Sequence, residues 1–260
     1  MKNNLNEQTK ENFKKLVQLV KILRSDNGCD WDKVQTSESL IPYLIEEVYE
    51  LIDSIDKKDH KNTKEELGDV MLHLVFQAEI LNEKESYKID DVLENINTKL
   101  IDRHPHVFSE SSKPANAKTN WERQKYLEKQ RGSRLDGVPN ILPSIIFSQR
   151  IQEKASSAGF DWDQIDDVWL KIHEEINELK FAQKKKDLDS IQDEIGDLLF
   201  SVINLSRFLG ISAENALRKS NKKFIRRFQL LELKVSDLNR TIDECSSEEL
   251  NKLWDDIKSI

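Results

Sequence analysis

Residues 45–73 read IEEVYELIDSIDKKDHKNTKEELGDVMLH, and residues 173–201 read HEEINELKFAQKKKDLDSIQDEIGDLLFS. Side chains three apart on a helix share a face. Glu47 therefore projects with Glu50, and Glu66 with Asp69. The point midway between the two pairs is residue 58, within the polar run Lys57-Lys58-Asp59-His60. An antiparallel helix hairpin that turns there sets both acidic pairs equally far from the turn, facing one another. The second stretch repeats this: Glu175 with Glu178, Glu194 with Asp197, and a midpoint at residue 186 within Lys184-Lys185-Lys186-Asp187. The two stretches thus predict two αα-hairpins, each carrying four facing carboxylates.

Working outward, the duplication continues. Glu46–Glu50 returns as Glu174–Glu178, and Glu66–Asp69 returns at the same offset as Glu194–Asp197. Upstream, Asp30-Trp31-Asp32 returns at a slightly longer offset as Asp161-Trp162-Asp163. Downstream, Lys99 and Arg103 return at a slightly shorter one as Lys223 and Arg227. Order, chemistry and near-constant spacing together point to duplication of one helical unit. The expected fold is all-α: two tandem helical-bundle repeats, each built on an antiparallel helix pair with an EExxE/ExxD cluster.

The expected division is 1–118, a linker with a short helix over 119–140, and 141–260. Periodicity predicts helices over about Thr9–Arg24, Ser37–Asp56 (capped by Ser37 or Thr36), Thr63–Asn82 and Asp90–Ile101, the last stopped by Arg103-His104-Pro105. Small polar residues over 109–118 and the run RGSRLDGVPN suit linkers, with a helix expected between them over Trp121–Gln130; the pattern restarts at Leu142. Breakers are scarce. The 260 residues hold 7 Gly and 5 Pro, against roughly 18 and about 13 in an average chain of that length.

At 37% hydrophobic and 34% charged, the helices should be amphipathic. A net charge of −8 speaks against nucleic acid as a partner, though a bound cation can invert the local sign for a nucleotide. Cys29 and Cys245 show no ligand spacing and read as reduced thiols. Met1–Glu11 lacks a signal-peptide core, and no apolar run suits a membrane span, so a soluble cytoplasmic protein is expected.

A charge run on a helix is usually a solvated face, but here apolar residues share the side. Leu40, Leu44 and Leu51 accompany Glu47 and Glu50; Val168, Leu179 and Ala182 accompany Glu175 and Glu178; Leu198 and Leu205 flank Glu194 and Asp197. Like charges held together in apolar surroundings need a cation or protons. An all-oxygen donor set selects a hard divalent ion, Mg²⁺ with Mn²⁺ as a substitute. Gly68 and Gly196 sit mid-helix between the Glu and the Asp of each copy, and suggest close approach of another helix or a ligand.

EExxE followed by ExxD resembles the all-α nucleotide pyrophosphohydrolases. The flanking residues resemble the two-domain MazG family: Cys29–Asp32 with Gln35-Thr36 and Ser39-Leu40, Arg103–Phe108, Gly159–Trp162 and Asn221–Phe228. Asp30 departs from that pattern, where the family usually has Pro. The resemblance spans about residues 10–258. It implies Mg²⁺-dependent hydrolysis of nucleoside triphosphates, normal and aberrant, between the α and β phosphates, in a homodimer. The narrower alternatives are a dUTP/dCTP or phosphoribosyl-ATP pyrophosphatase; a non-catalytic nucleotide-sensing module is a different class.

On this reading Glu175, Glu178, Glu194 and Asp197 are the expected metal ligands, with Glu47, Glu50, Glu66 and Asp69 as the first copy's set. Glu174, Glu175 and Lys171 are the expected catalytic group, Glu174 accepting a proton from water. Lys171, Glu175, Asp193, Lys223, Arg227 and Trp254 are expected to bind substrate; Lys171 lies four before Glu175, and Trp254 matches a position that packs on the nucleotide in the family. The first copy has Tyr43 where the second has Lys171, so hydrolysis is placed in the second. His73 reads as packed near the first cluster, and Trp31 and Trp162 as anchors of the turn preceding each hairpin.

Overall fold

A computed structural model describes residues 7–85, 87–108 and 132–258. Among these there are helices and no strand. The chain divides into two compact units, Met1–Lys113 and Pro114–Ile260. The expected helix over Trp121–Gln130 and the linker over 109–118 lie outside the described residues.

The first unit contains α1 (Glu7–Arg24), α2 (Asp30–Lys33), α3 (Ile41–Lys57), α4 (His60–Glu85), α5 (Ile89–Arg103) and α6 (Pro105–Phe108). The α3–α4 hairpin is its central pair; α1 and α5 pack on α4. Val20, Leu40, Val75, Phe76 and Ile80 form a buried cluster. The second unit contains α7 (Ser144–Ser157), α8 (Ile165–Lys185), α9 (Leu188–Phe208), α10 (Ala213–Asp237) and α11 (Ser247–Lys258). Here α8 and α9 are the hairpin, α7 packs on α9, and α10 packs on α7 and α11.

Both hairpins turn where the carboxylate spacing requires. Lys58 and Lys186 each adopt φ 57 and ψ 30, the left-handed conformation that ends α3 and α8. A non-glycine residue in that region is uncommon, and its recurrence at matching positions ties the two hairpins to one geometry.

The start of α3 differs from the expectation at Ser37. Thr36 and Ser39 bond each other reciprocally, Thr36 N to Ser39 Oγ at 2.9 Å and Ser39 N to Thr36 Oγ1 at 3.1 Å. That pair closes a separate turn, and α3 begins at Ile41 with Pro42 in its first turn, where a missing N–H removes no helical bond.

Each unit also has a bidentate clamp. Arg24 at the end of α1 bonds Glu83 of α4 at 2.8 Å through both Nε and Nη2, and reaches the carbonyls of Asp32 and Gln35. In the second unit the arginine is on the hairpin instead: Arg207 of α9 grips Asp161. Both forks fix the turn leading toward the hairpin.

Candidate metal and phosphate site

The facing acids do converge, three from each hairpin. Glu47, Glu66 and Asp69 each offer an oxygen within 4.8 Å of the others, as do Glu175, Glu194 and Asp197. Glu50 and Glu178 fall outside these triads. Each lines the adjoining shallow groove, Glu50 with Tyr49 and Glu66, Glu178 with Asn177 and Glu194.

The electrostatics differ between the copies. In the first, partial burial pushes the Glu47 carboxyl above the usual range, and repulsion from Asp69, Glu50 and Glu46 adds to it, against a hydrogen bond with Glu66. Glu66 moves the same way, through desolvation and then Glu50, Glu47 and Asp69. His73 has a buried Nδ1 with no partner among the described residues. Desolvation draws its pKa down against the pull of Asp69, favouring the neutral ring.

In the second copy Glu175 is 3% exposed. Lys171 Nζ lies 2.8 Å from Glu175 Oε1 and 2.8 Å from Glu174 Oε1. Hydrogen bonds to Glu174 and then Glu175 hold the lysine charged well above its ordinary range. So Lys171 answers the buried acid directly, a pairing the sequence does not disclose, since there a phosphate is its expected partner. Glu174 is correspondingly not a free carboxylate here. Glu194 remains raised by desolvation and by Glu178, Glu175 and Asp197.

Tyr43, at the register of Lys171, makes an edge-on contact with Trp31, ring centroids 5.7 Å apart. Asp193 is exposed and outside the triad, acting on Glu194 through its charge. Lys223 is exposed and Arg227 half-buried on α10. Trp254 of α11 packs against Phe224 of α10, centroids 5.4 Å apart, at the edge of a cluster with Leu231, Val235 and Ile257. No described contact joins these α10 and α11 residues to the triad within the chain.

Gly68 and Gly196 correct one expectation. A Cβ built on either meets nothing within 4 Å. Helix packing inside the chain therefore does not explain them, and only something outside it can approach there.

Sequence reasoning missed a cavity of about 440 Å³ in the second unit, lined among others by Gln152, Trp162, Lys171, Asn204 and Arg207. Trp162, read as a turn anchor, forms part of its wall. The signal available was the contrast between repeats: Asn204 stands at the repeat position of the buried Phe76.

Comparison with known proteins agrees with this geometry. The MazG nucleotide pyrophosphohydrolase domain matches twice, over residues 35–108 and 165–230, so each match contains one hairpin. The chain is 46% identical to the nucleoside triphosphate pyrophosphohydrolase/pyrophosphatase MazG of Thermotoga maritima, over 95% of each chain. It is 36% identical to the nucleoside triphosphate pyrophosphohydrolase of Escherichia coli K12, over 94% of this chain and 96% of that one. It is also 38% identical to an uncharacterized Bacillus subtilis protein, YabN, over 92% of this chain and 50% of that protein. Two copies of the domain, and relatives aligned over nearly their whole lengths, place the chain in the MazG nucleotide pyrophosphohydrolase family.

Proposed function

We propose that the chain hydrolyses nucleoside triphosphates to the monophosphate and pyrophosphate in a Mg²⁺-dependent reaction carried by the second unit, as a nucleotide-pool sanitising or regulatory enzyme. The observation that carries this is the meeting of the Glu175–Glu194–Asp197 triad with an ammonium group, Lys171, on its rim. The donor set fits a hard cation: carboxylate oxygens alone, crowded enough that Glu194 resists ionisation without one. Glu175, Glu178, Glu194 and Asp197 would hold it. Bound there, the ion offsets charge on the phosphate oxygens and orients water for in-line attack.

The chain's own groups complete the chemistry. Lys171 stays protonated and can turn from the acids to a phosphate oxygen. Its departure would free Glu174 to accept the proton of the attacking water. Lys223, Arg227, Asp193 and Trp254 are proposed substrate contacts, reached in the assembled enzyme. The first unit keeps the acids without the lysine, and is proposed to bind metal without turning over substrate.

A homodimer is proposed on an apolar stripe that both units repeat. Leu67, Met71, Leu74 and Leu81 of α4 are exposed. So are their repeat counterparts, Ile195, Leu199 and Val202 of α9 and Leu209 just beyond its end. Exposed stripes of this length mark interaction surfaces, and open Gly68 and Gly196 lie beside them. Among the described residues no single helix is long and apolar enough to cross a membrane. The unbridged thiols Cys29 and Cys245 suit a reducing compartment, proposed as the cytoplasm. A nucleotide panel with product identification tests the activity. Monophosphate with pyrophosphate supports it, and diphosphate with phosphate overturns it.

A further inference from the structure

The cavity of the second unit opens on one side to Lys171, whose Nζ touches the triad at Glu175. Its walls are otherwise apolar and aromatic: Ile151 of α7, Phe160 and Trp162 of the following turn, Phe200 of α9. The one strong charge inside, Arg207, is answered within the wall by Asp161. The space therefore suits an uncharged flat group, with the anionic part of the same ligand directed at Lys171 and the acids. Its volume, about 440 Å³, is in the range of small-molecule pockets.

Two amides give it hydrogen-bonding capacity. Gln152 is 7% exposed, and its Nε2 donates to the Phe200 carbonyl at 2.9 Å. That bond fixes the orientation of the amide and leaves Oε1 buried with no partner among the described residues. Asn204 accepts from Arg207 Nε through Oδ1 at 2.9 Å, which leaves its NH₂ to donate. A buried acceptor without a donor is costly unless a ligand supplies one.

The first unit shows what this space is when it is only structural. The positions matching Ile151, Phe200 and Asn204 are Val20, Leu72 and Phe76, which pack together with Val75 and Ile80 in the core. A solid core has become a partly polar cavity only in the unit that carries Lys171.

We infer that this cavity receives the nucleobase of the substrate, stacked on Phe160 or Trp162, with Gln152 Oε1 and the Asn204 amide engaging its polar edge. The inference rests on the pyrophosphohydrolase reading and deepens it. Each base presents a donor next to an acceptor on its pairing edge, so one acceptor and one donor would bind several bases rather than select one.

The test is steady-state hydrolysis of ATP, CTP, GTP and UTP by the full chain with Mg²⁺, comparing wild type with Asn204→Phe, which restores the first unit's residue, and Asn204→Leu. A filled cavity should raise KM tenfold or more, with the loss falling on KM rather than kcat. Adenosine, used as a competitive inhibitor, should weaken in parallel. If either variant, folded by circular dichroism, keeps wild-type KM and wild-type inhibition by adenosine, the inference falls; the leucine variant decides if the phenylalanine one does not fold. Adenosine quenching of tryptophan fluorescence, wild type against Trp162→Phe, separates the two readings. Quenching that the variant loses, in a wild type releasing no pyrophosphate, removes the hydrolase reading and keeps the cavity. Pyrophosphate release with no quenching by millimolar adenosine keeps the hydrolase and overturns the cavity.

Discussion

In the second unit Glu175 is buried and holds the Lys171 ammonium at 2.8 Å; in the first, Glu47 is half-buried and its neighbour of the same register, Tyr43, packs edge-on against Trp31 instead. The hairpins share turn geometry, acidic triad and spacing, yet they treat the charge oppositely. One neutralises its buried acid with a side chain that can later move to a ligand. The other leaves Glu47 and Glu66 to resist ionisation. Identical acids therefore do not make equivalent sites; the residue four positions earlier on the helix decides whether a counter-charge is present.

The sharpest way to break this asymmetry is to remove ligands from one copy at a time. Glu175→Gln with Glu178→Gln should reduce Mg²⁺-dependent pyrophosphate release by at least ~10²–10³-fold, the scale on which single electrostatic groups act in an active site. Glu47→Gln with Glu50→Gln should leave most of it. Loss of all activity in the first-unit variant would move the chemistry there, and near-wild-type turnover in a folded second-unit variant would end the assignment.

Lys171→Met comes next. Activity should fall ~10²-fold through the lost phosphate donor. Without metal, the variant should also unfold more easily, since Glu175 stays buried without its partner. Lys171 is 36% exposed, so the penalty is discounted from the fully buried range to on the order of 1–2 kcal/mol. Added Mg²⁺ should recover most of the lost thermal stability; a melting temperature indifferent to Mg²⁺ would contradict the proposed ligand set. The reciprocal change, Tyr43→Lys, should be close to neutral. It gains an exposed i,i+4 pair of about 0.3–0.5 kcal/mol and forfeits an aromatic contact of about 0.5–1.5 kcal/mol.

The hairpins were legible because chain arithmetic constrains them: acidic pairs equidistant from a polar run leave one place to turn, and Lys58 and Lys186 occupy it. The triads followed from i,i+3 spacing. The cavity was not legible, since Gln152 and Asn204 are residue types usually found on surfaces, and they meet only through the packing of α7 on α9. Lys171 was legible as a functional charge but not in its partner, because phosphate and Glu175 present the same kind of acceptor. The start of α3 was misplaced because Thr36 and Ser39 satisfy each other rather than a helix end.

Gly68→Ala and Gly196→Ala probe what approaches the hairpins from outside. Within one chain the new methyl group meets only open space, so helix propensity alone predicts stabilisation by about 1 kcal/mol. If a second copy packs at these glycines, the gain in the monomer is opposed by a looser dimer. Sedimentation velocity at micromolar protein should then show more monomer in the variants than in wild type. An unchanged distribution would put the interface elsewhere.

The smallest effect concerns the two clamps, whose polarity is reversed between the units. Glu83 is held below the usual carboxylate range by its hydrogen bonds from Arg24, despite some desolvation. For Asp161 desolvation is the largest influence and raises the pKa, but the bonds from Arg207, Ser156 and the Trp162 backbone together outweigh it. Both folded pKa values therefore lie below the unfolded ones. The stability each clamp contributes is complete above the ordinary carboxylate range and is lost as pH falls through the depressed values. Glu83 is 39% and Asp161 29% exposed, so each should be worth no more than ~1 kcal/mol. Melting curves between pH 7 and pH 3 should fall less steeply in Glu83→Gln and in Asp161→Asn than in wild type. Because the clamps lie in different units, the double variant should show the sum of the two changes. A double variant no different from either single one would mean that the two units do not melt independently.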